Sequence, residues 1–197
     1  MIAGVVPCAG SSSRMGKAKA LLSIGDSTFV QAVVDALSDG GCEPVLAIVP
    51  DDRVVAEAAR VTGARVLTNA DPGEGPITSM RLALRELGDS VEGVIYMAVD
   101  HPCVRAETIA TIVDVARSTD APLVIPTYEG ERGHPSFFQQ SLFLELMDPT
   151  LGGGARTVVH RHLALAELVA VPDPGIRLDI DTPAEYEAML AAGIDAP

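Results

Sequence analysis

Short apolar runs alternate with segments of helical periodicity along the first two thirds of the chain. The runs are bounded by glycine, proline or charged residues, as is typical of buried strands. Strands that alternate with helices predict crossover connections, and hence a mostly parallel twisted sheet with helices on both faces. The predicted strands are Ile2–Val6, Pro44–Val49, Ala64–Leu67, Gly93–Val99 and Leu123–Pro126, and the predicted helices lie near Thr28–Ser38, Arg53–Thr62, Ile77–Leu87 and Glu107–Arg117.

The pattern changes after Thr127. A turn within Tyr128–Phe138 separates two short predicted strands, and the last helix is expected to begin at the capping residue Thr182, with Pro183 at its first position. Because there is no repeat, linker or low-complexity tract, residues 1–197 are expected to form a single α/β domain. The remaining predicted elements are helices at Leu142–Met147 and Ala155–His162 and strands at Val169–Val171 and Arg177–Ile180.

The composition is that of a folded protein. Hydrophobic residues occupy 48% of the 197 positions, which is enough for a full core. No apolar stretch reaches the roughly 18 residues that a bilayer-spanning helix needs, and the N-terminus lacks the pattern of a signal peptide. A cytoplasmic protein with no membrane partner is therefore expected. The three cysteines lack metal-type spacing and are expected to be small buried residues: Cys8, Cys42 and Cys103.

The net charge narrows the function classes. A formal charge of −13 argues against a general nucleic-acid-binding surface, because phosphate contacts need a cationic face. An anionic ligand must instead be met by local positive charge or by a metal ion.

One loop after the first predicted strand gathers such local charge. It contains both lysines of the chain, Lys17 and Lys19, together with Arg14, two glycines and three serines. Glycines let backbone N–H groups approach a ligand, and hydroxyls and cations bind phosphate oxygens. A P-loop would need Ser or Thr after its Gly-Lys, whereas Ala18 follows Lys17. The loop is predicted to bind a nucleotide triphosphate, the alternative being a surface loop with incidental charge.

Carboxylates are predicted at the same edge of the sheet. Asp100 comes at the carboxyl end of a predicted strand, where ligands of parallel sheets bind and where an aspartate can hold magnesium. Asp179 and Asp181 are two residues apart, so they share one face of an extended segment. Each of these carboxylates has a plainer alternative role, as a helix cap.

The run Ala9–Leu22 resembles the signature loop of the nucleotidyltransferases that include molybdenum cofactor cytidylyltransferase. The wider superfamily holds molybdopterin guanylyltransferases, methylerythritol phosphate cytidylyltransferases and sugar-phosphate nucleotidyltransferases, which implies a Rossmann-like nucleotidyltransferase fold. In this family the loop wraps the triphosphate. The resemblance implies catalytic roles for Arg14 and Lys19 and nucleotide contacts from Ala9, Gly10, Ser11, Ser12, Ser13, Gly16 and Lys17.

Two acidic motifs extend the resemblance. Residues 100–102 resemble an Asp-Gln-Pro motif whose aspartate holds magnesium, which implies Asp100 as a catalytic metal ligand. His101 replaces the usual glutamine, and it either contacts acceptor or phosphate or has no such role. Residues 179–183 resemble an Asp-x-Asp-Thr-Pro motif, which implies Asp181 as the second ligand and Asp179 as support.

Three other motifs are similar to substrate-binding segments of the family. The Gly-His-Pro motif at His134 is typical of the cytidylyltransferase branch and implies an acceptor-pocket role, with a structural role as the alternative. The Gly-rich run that ends at Arg156 implies a phosphate contact on the acceptor side. The run that contains Ser79 resembles the segment that closes over the base, the plain alternative being a loop with a helix cap. His160 and His162 are interpreted as helix-surface residues.

Together the motifs imply that residues 1–127 bind the nucleotide and residues 128–197 the acceptor. The expected reaction is magnesium-dependent transfer of CMP from CTP to a phosphorylated acceptor, with molybdenum-loaded molybdopterin favoured and pyrophosphate as the leaving group. Cytosine is favoured because Ala9 and Gly10 stand where the guanylyl branch usually carries Gly-Gly. A molybdenum hydroxylase that uses the product would be the partner enzyme. The alternatives are GTP as donor, another acceptor such as methylerythritol phosphate or phospholactate, and a non-catalytic cofactor-delivery module.

Overall fold

The computed structural model of the protein describes residues 1–9, 17–71, 73 and 75–193. Its strands are β1 (Ile2–Pro7), β2 (Ser23–Ile24), β3 (Ser27–Thr28), β4 (Val45–Val49), β5 (Arg65–Thr68), β6 (Gly93–Tyr96), β7 (Leu123–Tyr128), β8 (Glu131–Arg132), β9 (Ser136–Gln139) and β10 (Glu167–Ala170). Its α-helices are α1 (Phe29–Asp39), α2 (Arg53–Val61), α3 (Pro76–Leu87), α4 (Ala106–Ser118), α5 (Phe143–Met147), α6 (Ala155–His162) and α7 (Pro183–Ala191).

One mixed sheet of eight strands organises the molecule. Seven strands follow the order β10-β7-β9-β6-β1-β4-β5, and β8 pairs with β7 outside this path. The pairs β1–β4, β1–β6, β4–β5 and β7–β10 are parallel, whereas β9 is antiparallel to both of its neighbours. The mostly parallel sheet is therefore confirmed, and the later part of the chain contributes a strand to its centre.

Apolar side chains cover both faces of this sheet. Along β1, Ile2 and Val6 join one apolar cluster, while Ala3 and Val5 join another, because successive strand residues point to opposite faces. Helices α1, α2 and α4 pack in the first cluster, and α3, α5 and α6 in the second. This confirms helices on both faces. None of the helices in the described ranges is both long and apolar enough to span a membrane.

Two predicted strands differ from the structure. Strand β6 ends at Tyr96, earlier than predicted, although the N–H groups of Met97 and Val99 still donate to carbonyls of β1. Residues 177–180 were predicted to form a strand, but a 3-10 turn covers Pro174–Arg177 and no strand follows it. The turn begins there because the Asp173 side chain caps its N-terminus and Pro174 supplies a preset backbone angle.

Candidate active site

Three distant segments meet at the carboxyl ends of β1 and β6. Lys19 opens a short 3-10 turn after the loop that follows β1, and it is anchored by its buried neighbour Ala20. Asp100 lies beyond the end of β6, and Asp181 lies just before α7. Because β1 and β6 are parallel neighbours, their carboxyl ends share one edge of the sheet. The predicted proximity of the lysine loop and Asp100 is confirmed for Lys19.

The Lys19 ammonium lies between two carboxylates. Its Nζ donates to Oδ2 of Asp100 at 3.0 Å and makes a short contact with Oδ1 of Asp181. Only 14% of the Lys19 side chain is exposed, and burial on its own would lower the pKa of Lys19. The hydrogen bond to Asp181 and the charge of Asp100 outweigh the effect of burial, so the pKa is raised. The ammonium is therefore charged at neutral pH, and one cation is shared by both carboxylates.

The start of α7 explains why Asp181 faces the site. Thr182 caps the helix: its hydroxyl accepts from the backbone N–H of Glu185, and the Glu185 carboxylate accepts from the N–H groups of Thr182 and Asp181. The cap is therefore formed without the Asp181 carboxylate. In addition, the N–H of Ile180 donates to the carbonyl of Asp100 at 2.9 Å, which holds the two acidic segments side by side.

A pair of histidine rings connects this cluster with a larger cavity. The His101 ring is buried, with Nε2 3.8 Å from Oδ1 of Asp100, and its centroid lies 4.6 Å from that of His134. Burial is the main cause that lowers the pKa of His101. The pKa of His134 is also lowered, first by loss of water around the ring and then by His101, although the residue reaches the surface. Both rings are therefore neutral near pH 7.

Backbone contacts fix His134 in place. The N–H of Gly133 donates to the carbonyl of Pro126, and the N–H of His134 donates to the carbonyl of Ile176 at 2.8 Å. A Cβ atom at position 133 would lie 2.3 Å from that Ile176 carbonyl oxygen, so only glycine fits. The glycine of the Gly-His-Pro motif thus has a steric function, and the histidine side chain remains available at the cavity.

The cavity beside His134 has a volume of about 940 Å³. Apolar side chains such as Tyr96 and Phe138 form part of its lining, and the glycine-rich turn before α6 forms another part. Arg156, in the first turn of α6, is exposed and also lines the cavity. The structure therefore brings together the two predicted acceptor-side residues, His134 and Arg156.

The two later histidines occupy different surroundings. His160 is exposed on α6, as the sequence predicts, and it also lines the cavity, a position that only the glycine-rich turn next to it could have indicated. His162 contacts Glu145 at 2.7 Å, beside Arg161, and ties α6 to α5.

Other predicted residues lie apart from the ion-paired cluster. Ser79 is buried in the first turns of α3, and its hydroxyl accepts from Nδ2 of Asn69 at 3.2 Å, so a nucleotide contact from Ser79 stays a prediction. Lys17 is exposed and lies near the start of α7. Ala9 is buried directly after β1. The predictions for Gly10, Ser11, Ser12, Ser13, Arg14 and Gly16 fall outside the described residues.

The cysteines are structural in this fold. All three are buried and free of disulfides, as expected. Burial is the main cause that raises the pKa of Cys8 and Cys42 to about 12 and that of Cys103 to about 11. None of them is therefore a thiolate at neutral pH.

Comparison with models of protein families assigns the chain to one of them. Residues 4–166 match the model of the MobA-like NTP transferase domain. The chain belongs to the MobA-like NTP transferase family. It is accordingly a nucleotidyltransferase.

Individual relatives are similar to this protein over nearly the whole length of the chain. A probable molybdenum cofactor guanylyltransferase of Mycobacterium avium is 27% identical over 197 residues, covering 97% of this chain and 96% of that protein. The crystal structure of Rv0371c from Mycobacterium tuberculosis has a TM-score of 0.82 and 31% identity, covering 96% of this chain and 97% of that one. A structure of Rv0371c in complex with manganese has a TM-score of 0.78 and 29% identity, with 97% and 98% covered.

Proposed function

We propose that this MobA-like NTP transferase moves CMP from CTP to the phosphate of molybdenum-loaded molybdopterin and releases pyrophosphate, with the help of a divalent ion. The observation that carries the proposal is the Lys19 ammonium held between Asp100 and Asp181 at the carboxyl edge of the sheet. That edge is where ligands of open α/β sheets bind. The names of relatives, including the Mycobacterium avium protein, support molybdopterin as the acceptor.

The two carboxylates fit a magnesium ion. One cation, the ammonium, already contacts an oxygen of each, so a single ion can be shared between them. Magnesium is commonly bound by one or two carboxylates together with substrate phosphates and water. Asp100 and Asp181 would hold the ion, which would neutralise phosphate charge and orient both substrates. The manganese complex of Rv0371c supports a divalent ion in a related protein.

The proposed reaction requires little covalent chemistry from the protein. An oxygen of the acceptor phosphate forms a bond to the α-phosphorus of the nucleotide, the bond from that phosphorus to the bridging oxygen breaks, and pyrophosphate leaves with the electron pair. Lys19 and Arg14 would bind the triphosphate and stabilise the charge on the leaving group. With Asp100 and Asp181 holding the ion, the Lys19 ammonium would be available to the triphosphate.

The cavity beside His134 suits the acceptor. Its apolar side chains offer contact area to a fused ring system, while Arg156 and the N-terminal turn of α6 offer positive charge to a phosphate. The His101–His134 contact places this cavity next to Asp100, so a phosphate bound there is close to the nucleotide side. Such proximity is what transfer between a nucleotide at the cluster and an acceptor in the cavity requires.

The nucleotide base has two candidates. Cytosine is favoured by the alanine at position 9 in place of the first glycine of the guanylyl branch, and by the Gly-His-Pro motif at His134. Guanine is the second candidate, because relatives that match most of the chain are named guanylyltransferases.

Calorimetric titration with CTP, GTP, ATP and UTP, each with and without magnesium, tests the proposal. We expect magnesium-dependent binding of CTP, followed by pyrophosphate release when molybdopterin is added. Preference for GTP would move the protein to the guanylyl branch. Absence of binding to all four would overturn the proposal and favour a non-catalytic module.

A further inference from the structure

The segment from Asp173 to Asp181, here called the 173–181 segment, contacts the backbone of His134 and Asp100 and the ammonium of Lys19. At its start, the 3-10 turn Pro174–Arg177 supplies the Ile176 carbonyl that accepts from the N–H of His134. Further along, Ile180 donates to the carbonyl of Asp100, and the segment ends with Asp181 at the Lys19 ammonium. The position of this segment therefore sets how Asp181 faces Asp100.

A buried carboxylate fastens the start of the segment. Asp173 is 2% exposed, and its side chain accepts three hydrogen bonds from two parts of the chain. Oδ1 accepts from the N–H of Gly175 at 2.9 Å. Oδ2 accepts from the N–H of Arg105 at 3.0 Å and from the hydroxyl of Thr108 at 2.7 Å. The carboxylate thus joins the 3-10 turn to the start of α4, directly after the Asp100 loop.

Close packing reinforces this junction. A Cβ atom at position 175 would lie 2.1 Å from the carbonyl oxygen of Cys103 and 2.9 Å from Oδ1 of Asp173. The backbone of the turn therefore lies directly against the loop that carries Asp100. With so little free space, a change in the Asp173 hydrogen bonds shifts the turn relative to that loop.

We propose that Asp173 is a positioning residue for the divalent-ion site: by holding the 173–181 segment against the start of α4, it fixes the separation of Asp100 and Asp181. This inference rests on the proposed function, because it assumes that these two carboxylates hold the ion. Three donors converge on Asp173, so the position needs a group that accepts at both oxygens. An asparagine would direct an NH₂ group at one or two of these donors and leave them unsatisfied.

The test compares Mn²⁺ binding in wild type, Asp173→Asn and Thr108→Val. Each protein is titrated with Mn²⁺ in the presence of a non-reactive α,β-methylene analogue of CTP, and in parallel of GTP, far below its melting temperature. We expect Asp173→Asn to weaken binding of the ion by about tenfold, as is usual when a group that orients metal ligands is lost. Thr108→Val removes one of the three donors. It should also weaken binding of Mn²⁺, but by less than Asp173→Asn does.

Thr111→Val is the matched control. Its hydroxyl lies one turn further along α4 and donates to the Glu107 carbonyl of its own helix. Binding of Mn²⁺ to this variant should equal that of wild type. If Asp173→Asn fails to fold, Thr108→Val against Thr111→Val decides the question.

Two results would have different meanings. A lower melting temperature in Asp173→Asn with unchanged Mn²⁺ affinity would show a merely structural role and overturn this inference, while leaving the proposed function intact. Wild-type protein that binds no Mn²⁺ with either analogue would instead overturn the proposed function, and the inference with it.

Discussion

The ion-paired cluster and the cavity beside His134 are built in opposite ways. In the cluster, Lys19, Asp100 and Asp181 come from three distant segments and contact one another directly. The cavity is wide and partly apolar, and its two arginines, Arg132 and Arg156, are exposed. Charges fixed in advance favour a reaction with developing phosphate charge, whereas an open, mixed surface favours recognition of a large ligand. Under the proposed function, we expect the cluster to determine the rate and the cavity to determine which acceptor is used.

Removing a carboxylate of the cluster should have the largest effect. Asp100→Asn is expected to lower turnover by about 100- to 1,000-fold, because electrostatic stabilisation of the transferring phosphate depends on the ion held there. Steady-state pyrophosphate release at varied magnesium measures this. Asp179→Asn is the control, since Asp179 is exposed and should matter far less. Normal magnesium dependence in Asp100→Asn would remove Asp100 from the site.

Lys19→Ala should have the next largest effect, and of a different kind. We expect turnover to fall by about 100-fold, because the ammonium that would stabilise the triphosphate is lost. Binding of the divalent ion should not be weaker. The reason is that the ammonium and the ion compete for the same carboxylate oxygens. Turnover and Mn²⁺ titration together check both parts. Lys17→Ala is the matched control, as Lys17 is exposed and lies near the start of α7; equal losses in the two variants would contradict the assignment.

Arg156→Ala tests the cavity. We expect KM for the acceptor to rise by about tenfold, the size expected for one lost charge-assisted hydrogen bond, with nucleotide affinity unchanged. Arg161→Ala, on the same helix but paired with Glu145, should leave this KM unaltered. A change in nucleotide binding instead would mean that the two regions are not divided by substrate.

The smallest effect is expected for the thiols, which belong neither to the ion-paired cluster nor to the cavity beside His134. At pH 8, Cys8, Cys42 and Cys103 should not react with a thiol reagent in the folded protein, because burial raises the pKa of each well above that pH. All three should react in denaturant. A thiol that reacts in the native state would contradict this and reveal a local opening of the fold around that cysteine.

Local sequence pattern determined most of the fold. Apolar runs and caps, such as Thr28 before α1 and Thr182 before α7, locate the elements within a few residues, because helix caps and buried strands depend on nearby residues. The run 177–180 was mistaken for a strand because its alternation is real, while the 3-10 turn before it depends on Asp173, whose partners Arg105 and Thr108 are far away in sequence.

For the candidate site too, some features depend on the local sequence and others on the tertiary structure. The sequence by itself determined that Lys19, Asp100 and Asp181 lie near the ends of elements, and it predicted a nucleotide-binding loop after β1. Only the tertiary structure decided that one ammonium joins both carboxylates, that the rings of His101 and His134 are in contact, and that His160 lines the cavity. Residue type and local spacing limit which groups are available, but contacts between residues more than eighty positions apart exist only once the parallel strands align their carboxyl ends.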